Sequence, residues 1–418
     1  MSLPPTSSTS PMLILVINAG SSSLKFQLIE PKKWKTIYKG HIDRIGTPLC
    51  EYLSSNCKSC DAPKTKTITQ AFKLGMEKMI ASGIIKDINE ISSIGHRVVH
   101  GGEKHTTAVK ITSKIIKELE ALSPLAPLHN PPNIEGIKAA IKMFPKIPNI
   151  AVFDTAFHQT MPEKAYLYAI PLKLYEKHKI RKYGFHGTSH KYVYNEAKKF
   201  LGEKHTRNTI TCHLGNGASI TAIKNGQVID TSMGFTPLEG LMMGTRSGDM
   251  DPAIIFHMID KLKFKSQEVY EILNHQSGFK GIYGKTDVRD VRDGFFQRQE
   301  KKAKLALDMY CYRIAKYIGA YLVALGQLDT LVFTGGIGEN AWYVRKWVCH
   351  YLKIDLNDKR NKETEFPNAK TIKISSGKPN VLVIPTNEEL QIAKETFQLI
   401  SQSPNPLPYA PKNKKYTS

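Results

Sequence analysis

The apolar positions of this chain fall into short runs of β-branched residues, separated by polar turns that contain glycine. Near the start, the runs Leu13–Ile17, Leu24–Ile29 and Trp34–Ile42 have the length and composition of strands. A second set of three runs begins at Thr209, with a Gly-Asn-Gly turn after its first run and an Asn-Gly hairpin signal after its second. The order strand, glycine turn, strand, turn, strand occurs twice, which predicts a duplicated β-rich unit.

The rest of the chain alternates helical and strand patterns. The segment Lys302–Leu325 predicts a long, largely buried helix that leads into a strand. The polar stretch Ser54–Lys66 is predicted as a loop. The predicted helices are Thr69–Ser82, Ser113–Ala121, Asn133–Met143 (starting after Pro131 and Pro132), Lys302–Leu325 and a closing helix that ends near Ile400, and the further predicted strands are Thr330–Phe333 and Val381–Ile384.

Three glycine-rich loops each follow a strand-like run. They are Asn18–Lys25 (NAGSSSLK), His213–Ser219 (HLGNGAS) and Thr334–Asn340 (TGGIGEN). Glycine lets backbone N–H groups approach a polyanion closely, so loops of this kind are typical of phosphate sites. One such loop alone is more often only a turn. Three of them, spread over both halves of the chain, favour an enzyme that handles a nucleotide.

Length and composition favour a globular protein of two domains. The chain has 418 residues, of which 41% are hydrophobic and 23% charged. Its apolar runs are shorter than the ~20 residues that a membrane helix needs, and residues 1–11 lack the basic start of a signal peptide. We therefore expect a cytoplasmic protein without a membrane segment. Residues 1–11 and the basic tail 401–418 are expected to be disordered.

The net charge of +22 raises the question of nucleic-acid binding. The lysines are scattered, and no zinc-finger, basic-zipper or RNA-recognition motif is present, so we expect a generally basic surface and no nucleic acid as partner. A secondary affinity for RNA is the alternative.

Six cysteines in a chain of this length do not indicate a disulfide framework. Cys57 and Cys60 have the spacing of half a zinc site, but we expect them to be surface thiols.

Several charged residues stand beside glycines or at predicted strand ends, where they could serve phosphoryl transfer. Arg97 lies in GHRVVHGG and Arg246 in GTRSGDMDP, and for each the alternative is a structural ion pair. Lys25 could contact a phosphate or be a solvated strand residue. Asp154 and Glu388 could bind Mg²⁺ or orient the acceptor, or they could cap helices.

Histidines and a further charged pair add to these candidates. His186 and His190 have the i,i+4 spacing of a zinc-binding helix, but no glutamate lies between them and their Gly-Thr-Ser insert is poor helix. We therefore expect His186 to donate to a phosphoryl oxygen rather than to bind metal. His129 is held among prolines and could act similarly. Asp287 and Arg289 form a charged pair on a predicted loop, with plain surface exposure as the alternative.

Taken together, these motifs resemble the acetate kinase family over nearly the whole chain, from Leu13 to about Ile400. The resemblance implies an α/β fold of duplicated domains like those of actin, heat-shock-70 proteins and sugar kinases (ribonuclease H-like), with a central active-site cleft. It implies an N-terminal acyl-kinase domain of residues 12–156 plus 387–400 and a C-terminal nucleotide-binding domain of residues 157–386. The matching segments, in the family's order, are VINAGSSSLKF, GHRVVHGG, LAPLHNPPN, FDTAFH, YGFHGTSH, HLGNGAS, GTRSGDMDP, FTGGIGEN and PTNEEL.

The resemblance also implies a reaction and a set of residue roles. The reaction is reversible in-line phosphoryl transfer from ATP to acetate, giving acetyl phosphate and ADP, with Mg²⁺ as cofactor, Mn²⁺ able to replace it, and a homodimer as the working form. The implied roles are metal binding for Asn18 and Glu388; catalysis for Asp154, His186, Arg246 and His129; substrate binding for Arg97, Val99, Leu128, Phe185 and Pro237; and nucleotide binding for Lys25, His213, Leu214, Gly215, Asn216, Gly217, Asp287, Val288, Arg289, Gly336, Ile337, Gly338, Glu339 and Asn340.

Two alternative functions stay open. Val99 in the implied acyl pocket leaves little room for an extra methylene, which favours acetate, but one methylene is worth only ~1–3 kcal/mol. A propionate kinase of the same fold is therefore the first alternative. The second belongs to a different class, a protein that hydrolyses ATP to switch a partner. Such a protein would need neither an acyl pocket nor a counterpart of Arg97.

Overall fold

The computed structural model describes residues 12–55, 65–363 and 370–402, and the backbone of residues 57–61. The described residues form two compact units, one from the residues before Phe157 together with those from Glu388 onward, and the other from Phe157–Asn387. The predicted disordered extension at 1–11 and residues 403–418 of the predicted tail lie outside the described residues, as do the side chains of Cys57 and Cys60.

Strands and helices alternate along both units. The strands are β1 Leu13–Ala19, β2 Leu24–Glu30, β3 Lys35–Asp43, β4 Glu51–Ser54, β5 Cys57–Asp61, β6 Ile91–Val98, β7 Val109–Lys110, β8 Asn149–Phe153, β9 Asn208–Leu214, β10 Ala218–Lys224, β11 Gln227–Thr231, β12 Thr330–Thr334, β13 Ile372–Lys373 and β14 Asn380–Val383. The α-helices are α1 Ile68–Ala81, α2 Ser113–Ala121, α3 Asn130–Met143, α4 Glu163–Tyr166, α5 Leu172–His178, α6 Gly187–Leu201, α7 Ala253–Asp260, α8 Ser266–His275, α9 Gly278–Tyr283, α10 Val288–Phe296, α11 Lys301–Leu325, α12 Gly335–Asn340, α13 Trp342–Tyr351, α14 Asp358–Lys362 and α15 Glu388–Ser401.

The first unit is built on one mixed sheet. Its strand order within the described residues is β5-β4-β3-β2-β1-β6-β8-β7. β1, β2 and β3 pair antiparallel, whereas β1, β6 and β8 run parallel. Helices α1 and α3 cover one face, and α15 packs with Ile14, Val16 and Val152 on the other face. Because both faces of the central strands are covered, their side chains are almost continuously buried.

The second unit repeats this arrangement. Its sheet has the order β11-β10-β9-β12-β14-β13. β9, β10 and β11 pair antiparallel, and β9, β12 and β14 run parallel, as the corresponding strands of the first unit do. The two triplets of strands read from the sequence are therefore both present, in an α/β fold with two mixed sheets.

Several predicted local structures were wrong. The predicted loop Ser54–Lys66 contains strand β5, which forms an edge hairpin with β4 through backbone pairing and so needs no apolar pattern. Trp34 precedes β3 in a left-handed turn (φ 51°) and does not belong to the strand. Helix α3 begins at Asn130, before its prolines, because a first-turn N–H has no partner in the helix and proline loses nothing there. The Gly-Thr-Ser insert after His186 forms the first turn of α6.

Glycine allows two backbone segments to approach closely at the end of β12. A Cβ on Gly335, whose φ is +76°, would lie 2.7 Å from the carbonyl oxygen of Leu214. Only glycine fits this contact, which brings the loop after β9 against the start of α12.

None of the helices formed by the described residues is both long and apolar enough to cross a membrane.

Candidate active site

In the first unit, four predicted site residues lie at one end of four neighbouring strands. Asn18 on β1 is paired with Lys25 on β2, and its neighbour Ile17 is paired with His96, which precedes Arg97 on β6. Asp154 directly follows the last residue of β8. The carboxyl ends of β1, β6 and β8 meet at one edge because these strands are parallel. Sheet register alone therefore assembles the group.

Arg97 and Asp154 form a hydrogen-bonded ion pair. Nε and Nη2 of Arg97 donate to Oδ2 of Asp154 at 3.0 and 2.6 Å, and Nη1 lies 3.4 Å from Oδ1 of Asn18. Asp154 is 1% exposed and the Arg97 side chain 21%. Burial alone would lower the pKa of Arg97, but the charges of Asp154 and Glu388 raise it, so the guanidinium stays cationic. The pair fixes a positive charge at the edge of the sheet.

Glu388, the first residue of α15, belongs to the same charged group. Its pKa is raised to about 7, chiefly by burial and also by the carboxylates of Asp154 and Glu389, while the charges of Arg97 and Lys25 act in the opposite direction. A desolvated carboxylate among other carboxylates is stabilised by a cation. Together with the amide oxygen of Asn18 it offers the hard oxygen donors that Mg²⁺ prefers, and Mg²⁺ takes its other ligands from water and phosphate. The residues present therefore fit a magnesium ion.

Two buried asparagines of α3 hold the loop that follows β6. Oδ1 of Asn133 accepts from the amide of Val99 at 3.0 Å, while its Nδ2 donates to the carbonyl of Ala19 at 2.6 Å. Asn130 bonds both backbone groups of His100. These contacts fix Val99, which is buried, relative to the loop after β1. Sequence reasoning missed both asparagines, although they lie in the LHNPPN segment and flank its prolines.

The predicted acyl-pocket residues are divided between the two units. Val99 and Leu128 belong to the first unit, where Leu128 is 49% exposed. His129, the N-cap residue of α3, follows Leu128 and is half-buried. Phe185 and Pro237 belong to the second unit; Phe185 is buried, and the carbonyl of Pro237 accepts from Nη1 of Arg246 at 3.3 Å.

In the second unit, a cavity of about 730 Å³ lies beside the two glycine loops. This size suits a small-molecule ligand. It brings together eight of the residues predicted to bind nucleotide, and four others line it. The lining residues are Gly215, Asn216, Thr286, Asp287, Val288, Arg289, Arg292, Gly336, Ile337, Asn340, Ala341 and Tyr343.

Asp287 and Arg289 are a hydrogen-bonded pair in the lining of this cavity. Asp287 caps α10 by accepting from the amide of Arg289 at 2.8 Å, and the Arg289 guanidinium binds the same carboxylate at 2.6–3.0 Å. That hydrogen bonding lowers the pKa of Asp287. The pair is therefore preformed at the edge of the cavity, with the guanidinium exposed to solvent.

Other residues predicted to bind nucleotide have structural contacts. Leu214 is fully buried in the core. Oε1 of Glu339 accepts from the amides of Gly335 and Thr386 at 2.9 and 3.0 Å, so it ties the start of α12 to the segment before α15. Arg345, which sequence reasoning missed, is fully buried and donates to the carbonyls of Gly338 and Glu339 at 2.8 and 2.9 Å. It satisfies the carbonyl end of the short helix α12.

His186 and Arg246 meet beside the loop after β9. A Cβ on Gly217 would lie 3.4 Å from Nε2 of His186 and 3.6 Å from Nη1 of Arg246. In the described chain Arg246 bonds to the carbonyl of Pro237 and to Sδ of Met243 and to no carboxylate, and burial lowers its pKa. A guanidinium without a counter-ion next to an imidazole edge and a glycine backbone is suited to bind an anion. The ring of His213 lies 4.3 Å from that of His186.

The family model of the acetokinase family matches residues 13–394 of this chain. An acetate kinase of Thermotoga maritima is 49% identical over 94% of this chain and 99% of its own length. The crystal structure of Porphyromonas gingivalis acetate kinase superposes with a TM-score of 0.86 at 42% identity, covering 93% of this chain and 99% of that one. The structure of a propionate kinase from Francisella tularensis superposes with a TM-score of 0.85 at 43% identity, over 92% and 99% of the two chains.

These similarities extend along almost the full length of both partners in each comparison, and they include the strand ends and glycine loops described above. The resemblance read from the sequence motifs is thereby confirmed. The chain is a kinase and belongs to the acetokinase family.

Proposed function

We propose that this kinase transfers the γ-phosphoryl group of ATP to acetate, in a reversible reaction that yields acetyl phosphate and ADP. The observation that carries the proposal is the setting of Arg97 in the first unit. Its guanidinium is fixed at a strand end by Asp154, and Val99, two positions further on, is buried. A fixed cation close to a short apolar residue suits a small carboxylate with a short alkyl group.

In the first unit, Arg97 binds the acetate carboxylate and neutralises part of its charge. Asp154 acts through Arg97, because its Oδ2 accepts two of the guanidinium hydrogen bonds and so holds the plane of the group. One acetate oxygen then attacks the γ-phosphorus in line with the bond to ADP, which breaks as the new P–O bond forms. His129 assists from the adjoining helix terminus.

In the second unit, the cavity beside the glycine loops holds the nucleotide. Asp287, Val288 and Arg289 with the start of α12 contact the adenosine, and the backbone of His213–Gly217 contacts the phosphates. His186 and Arg246 donate to the oxygens of the transferred phosphoryl group, whose charge spreads over those oxygens in the transition state. Lys25 of the first unit adds a further positive charge for the phosphates.

We propose Mg²⁺ as the metal, held by Glu388 and Asn18. When bound, Mg²⁺ would neutralise phosphate charge and help to align the nucleotide. Around it, the chain's own residues balance the charge, because Lys25 and Arg97 offset the carboxylates that raise the pKa of Glu388.

Propionate kinase activity is the second candidate, because a propionate kinase is among the structures that this chain resembles closely. Val99 favours acetate, since a buried β-branched side chain whose amide is tied to Asn133 cannot easily make room for another methylene. The expected preference is about 5- to 150-fold in kcat/KM, corresponding to ~1–3 kcal/mol for one methylene.

The test is an assay of the purified protein with Mg-ATP and acetate, propionate or butyrate, with acyl phosphate trapped as hydroxamate. Acetyl hydroxamate in excess supports the proposal, and propionyl hydroxamate in excess selects the second candidate. ATP hydrolysis without acyl phosphate would overturn both. Arg97→Ala should abolish trapping, while Arg44→Ala serves as the matched control because Arg44 forms an exposed pair with Glu51.

We also propose a homodimer, as the resemblance implies. Helix α7 supports this, because it is apolar and none of its residues is buried within the chain. Ile254 and Phe256 on α7 are 45% and 65% exposed, and Leu262 just beyond it is 56% exposed. An exposed apolar patch of this kind is typical of an interface, and a second copy of the chain would cover it.

A further inference from the structure

Behind His186 lies a group of buried hydroxyl and imidazole side chains that the proposed reaction does not use directly. Ser219 Oγ lies 3.0 Å from Nδ1 of His186 and 2.8 Å from Nε2 of His190. Nδ1 of His190 lies 2.7 Å from Oγ1 of Thr211. His190, Thr211 and Ser219 are all fully buried. The contacts form an unbroken chain from β9 to the Nδ1 atom of His186.

The direction of these hydrogen bonds follows from counting donors and acceptors. Burial, followed by the nearby rings of His158 and His213, lowers the pKa of His190 well below its ordinary value, so the ring is neutral. One of its nitrogens therefore donates and the other accepts. Within the described residues, Nδ1 of His190 is the sole hydrogen-bond partner of the Thr211 hydroxyl. A buried hydroxyl that only accepted would leave its proton unpaired, which is costly, so Thr211 donates to Nδ1.

The remaining assignments are then determined. Since Nδ1 of His190 accepts, its Nε2 carries the proton and donates to Ser219 Oγ. Ser219 has one proton, which it donates to Nδ1 of His186. A neutral His186 whose Nδ1 accepts must carry its proton on Nε2, the atom on the side of Gly217 and Arg246. If the hydrogen bonds ran in the opposite direction, Nδ1 of His186 would carry the proton and donate it to Ser219 Oγ. Nε2 of a neutral His186 would then be unprotonated.

We propose that this relay fixes His186 as the tautomer with its proton on Nε2, ready to donate to the phosphoryl group. The relay consists of the positioning residues Thr211, His190 and Ser219. The role of the Nε2 proton in the reaction rests on the proposed function, whereas the tautomer is a property of the protein alone.

The backbone at His186 supports this assignment. The residue has φ 57° and ψ 22°, a left-handed conformation that costs a non-glycine residue energy, and it stands immediately before α6. The backbone conformation fixes the position from which the side chain leaves the main chain, and the hydrogen bond from Ser219 Oγ fixes the rotation of the imidazole ring. The two constraints together leave the imidazole one orientation and one proton position.

The first test measures the tautomer directly, without substrate. Protein labelled with ¹⁵N-histidine is studied by long-range ¹H–¹⁵N correlation, and the His186 ring is identified by its absence from the spectrum of His186→Gln. We expect an unprotonated Nδ1 and a protonated Nε2. A protonated Nδ1 would overturn the inference, whether or not the protein phosphorylates acetate. Absence of acetate phosphorylation with the expected spectrum would instead overturn the proposed function.

The second test removes the last link of the relay. Ser219→Ala should lower kcat on the order of 10-fold and leave KM for acetate and ATP within twofold. This lies between the twofold loss from tautomer mixing alone and the 10²–10³-fold loss of an entire donor. The His186 signals should shift toward a mixture of tautomers. Ser219→Thr, which keeps the hydroxyl, should restore both kcat and the spectrum.

Thr209→Val is the matched control. Thr209 lies on the same strand as Thr211 and is equally buried, but among the described residues its hydroxyl bonds only the carbonyl of Thr206, at 3.0 Å. This variant should keep the wild-type kcat and the wild-type His186 spectrum. If Ser219→Ala kept the wild-type tautomer, or if Thr209→Val lost as much activity as Ser219→Ala, a general packing effect would replace the relay as the explanation.

Discussion

Replacement of Arg246 by alanine should separate catalysis from stability. Arg246 has two contacts of modest strength through Nη1, the carbonyl of Pro237 at 3.3 Å and Sδ of Met243 at 3.5 Å. Neither partner carries a charge that would be left uncompensated. Burial lowers the pKa of the guanidinium, which means that the folded protein bears a cost for keeping it charged.

These contacts set the expected magnitudes. Loss of these two long, weak contacts costs about 1–2 kcal/mol, and release of a desolvated cation offsets part of that cost. The free energy of unfolding of Arg246→Ala should therefore stay within about 1 kcal/mol of wild type. In the transition state the same side chain would donate to a phosphoryl oxygen, and loss of one such donor lowers kcat by about 10²–10³. KM for acetate should change little.

The assay pairs hydroxamate trapping of acetyl phosphate with urea unfolding followed by circular dichroism. Arg44→Ala, which removes an exposed arginine, controls for the loss of positive charge. A kcat within threefold of wild type would refute the assigned role of Arg246. A loss of stability large enough to explain the loss of activity would also refute it, because Arg246 would then stabilise the fold more strongly than its two contacts indicate.

Four further predictions follow from the geometry. Arg97→Ala should lower the free energy of unfolding by about 3–5 kcal/mol in urea, because it leaves the Asp154 carboxylate buried without its cation; adding Asp154→Asn should recover part of this loss, and no recovery would contradict the explanation. Burial lowers the pKa of His96 to about 4. The stabilisation from its neutral imidazole is fully present above pH 6.5, and the free energy of unfolding should fall by up to about 3 kcal/mol as the pH drops from 6.5 to 4. An equally steep fall in His96→Gln would assign this loss of stability to other groups. Val99→Ala should raise kcat/KM for propionate relative to acetate about 10-fold, and an unchanged ratio would remove Val99 as the determinant of chain length. Phe256→Asp should reduce the mass measured by light scattering from that of a dimer to that of a monomer, and a dimer that persists would place the interface elsewhere.

The sequence predicts the elements whose side chains face a core. β1, β2 and β9 follow from apolar runs, and α11 from helical spacing, because burial selects those residues directly. The edge strand β5 could not be found in this way, since it pairs through its backbone. The start of α3 was misplaced because a proline in a first turn and a proline before a helix look alike in sequence.

In the candidate site, too, some residues could be predicted from local sequence and others could not. Arg97 could be singled out by the glycines and histidines around it, and Asp154 because it follows an apolar, strand-like run whose end is a common place for site residues. Ser219 and His190 could not be linked, because they are 29 positions apart and their contact depends on how α6 packs against the sheet of the second unit. The double role of Asn133 likewise requires a partner 114 positions away. Contacts of this kind are specified by tertiary packing and leave no periodic signal.

Helix α15 belongs to the first unit but is synthesised after the second unit. α15 carries Glu388 and also supplies Ile392 and Ala393, which cover one face of the first unit's sheet beside Ile14 and Val16. The ribosome releases every residue of the second unit before it releases α15, so the first unit must wait through most of translation with that face bare. A nascent chain therefore exposes this apolar face until α15 has emerged. Because the same helix closes the core and brings Glu388, a prematurely terminated polypeptide would lack both a complete fold and a complete set of charges for the reaction.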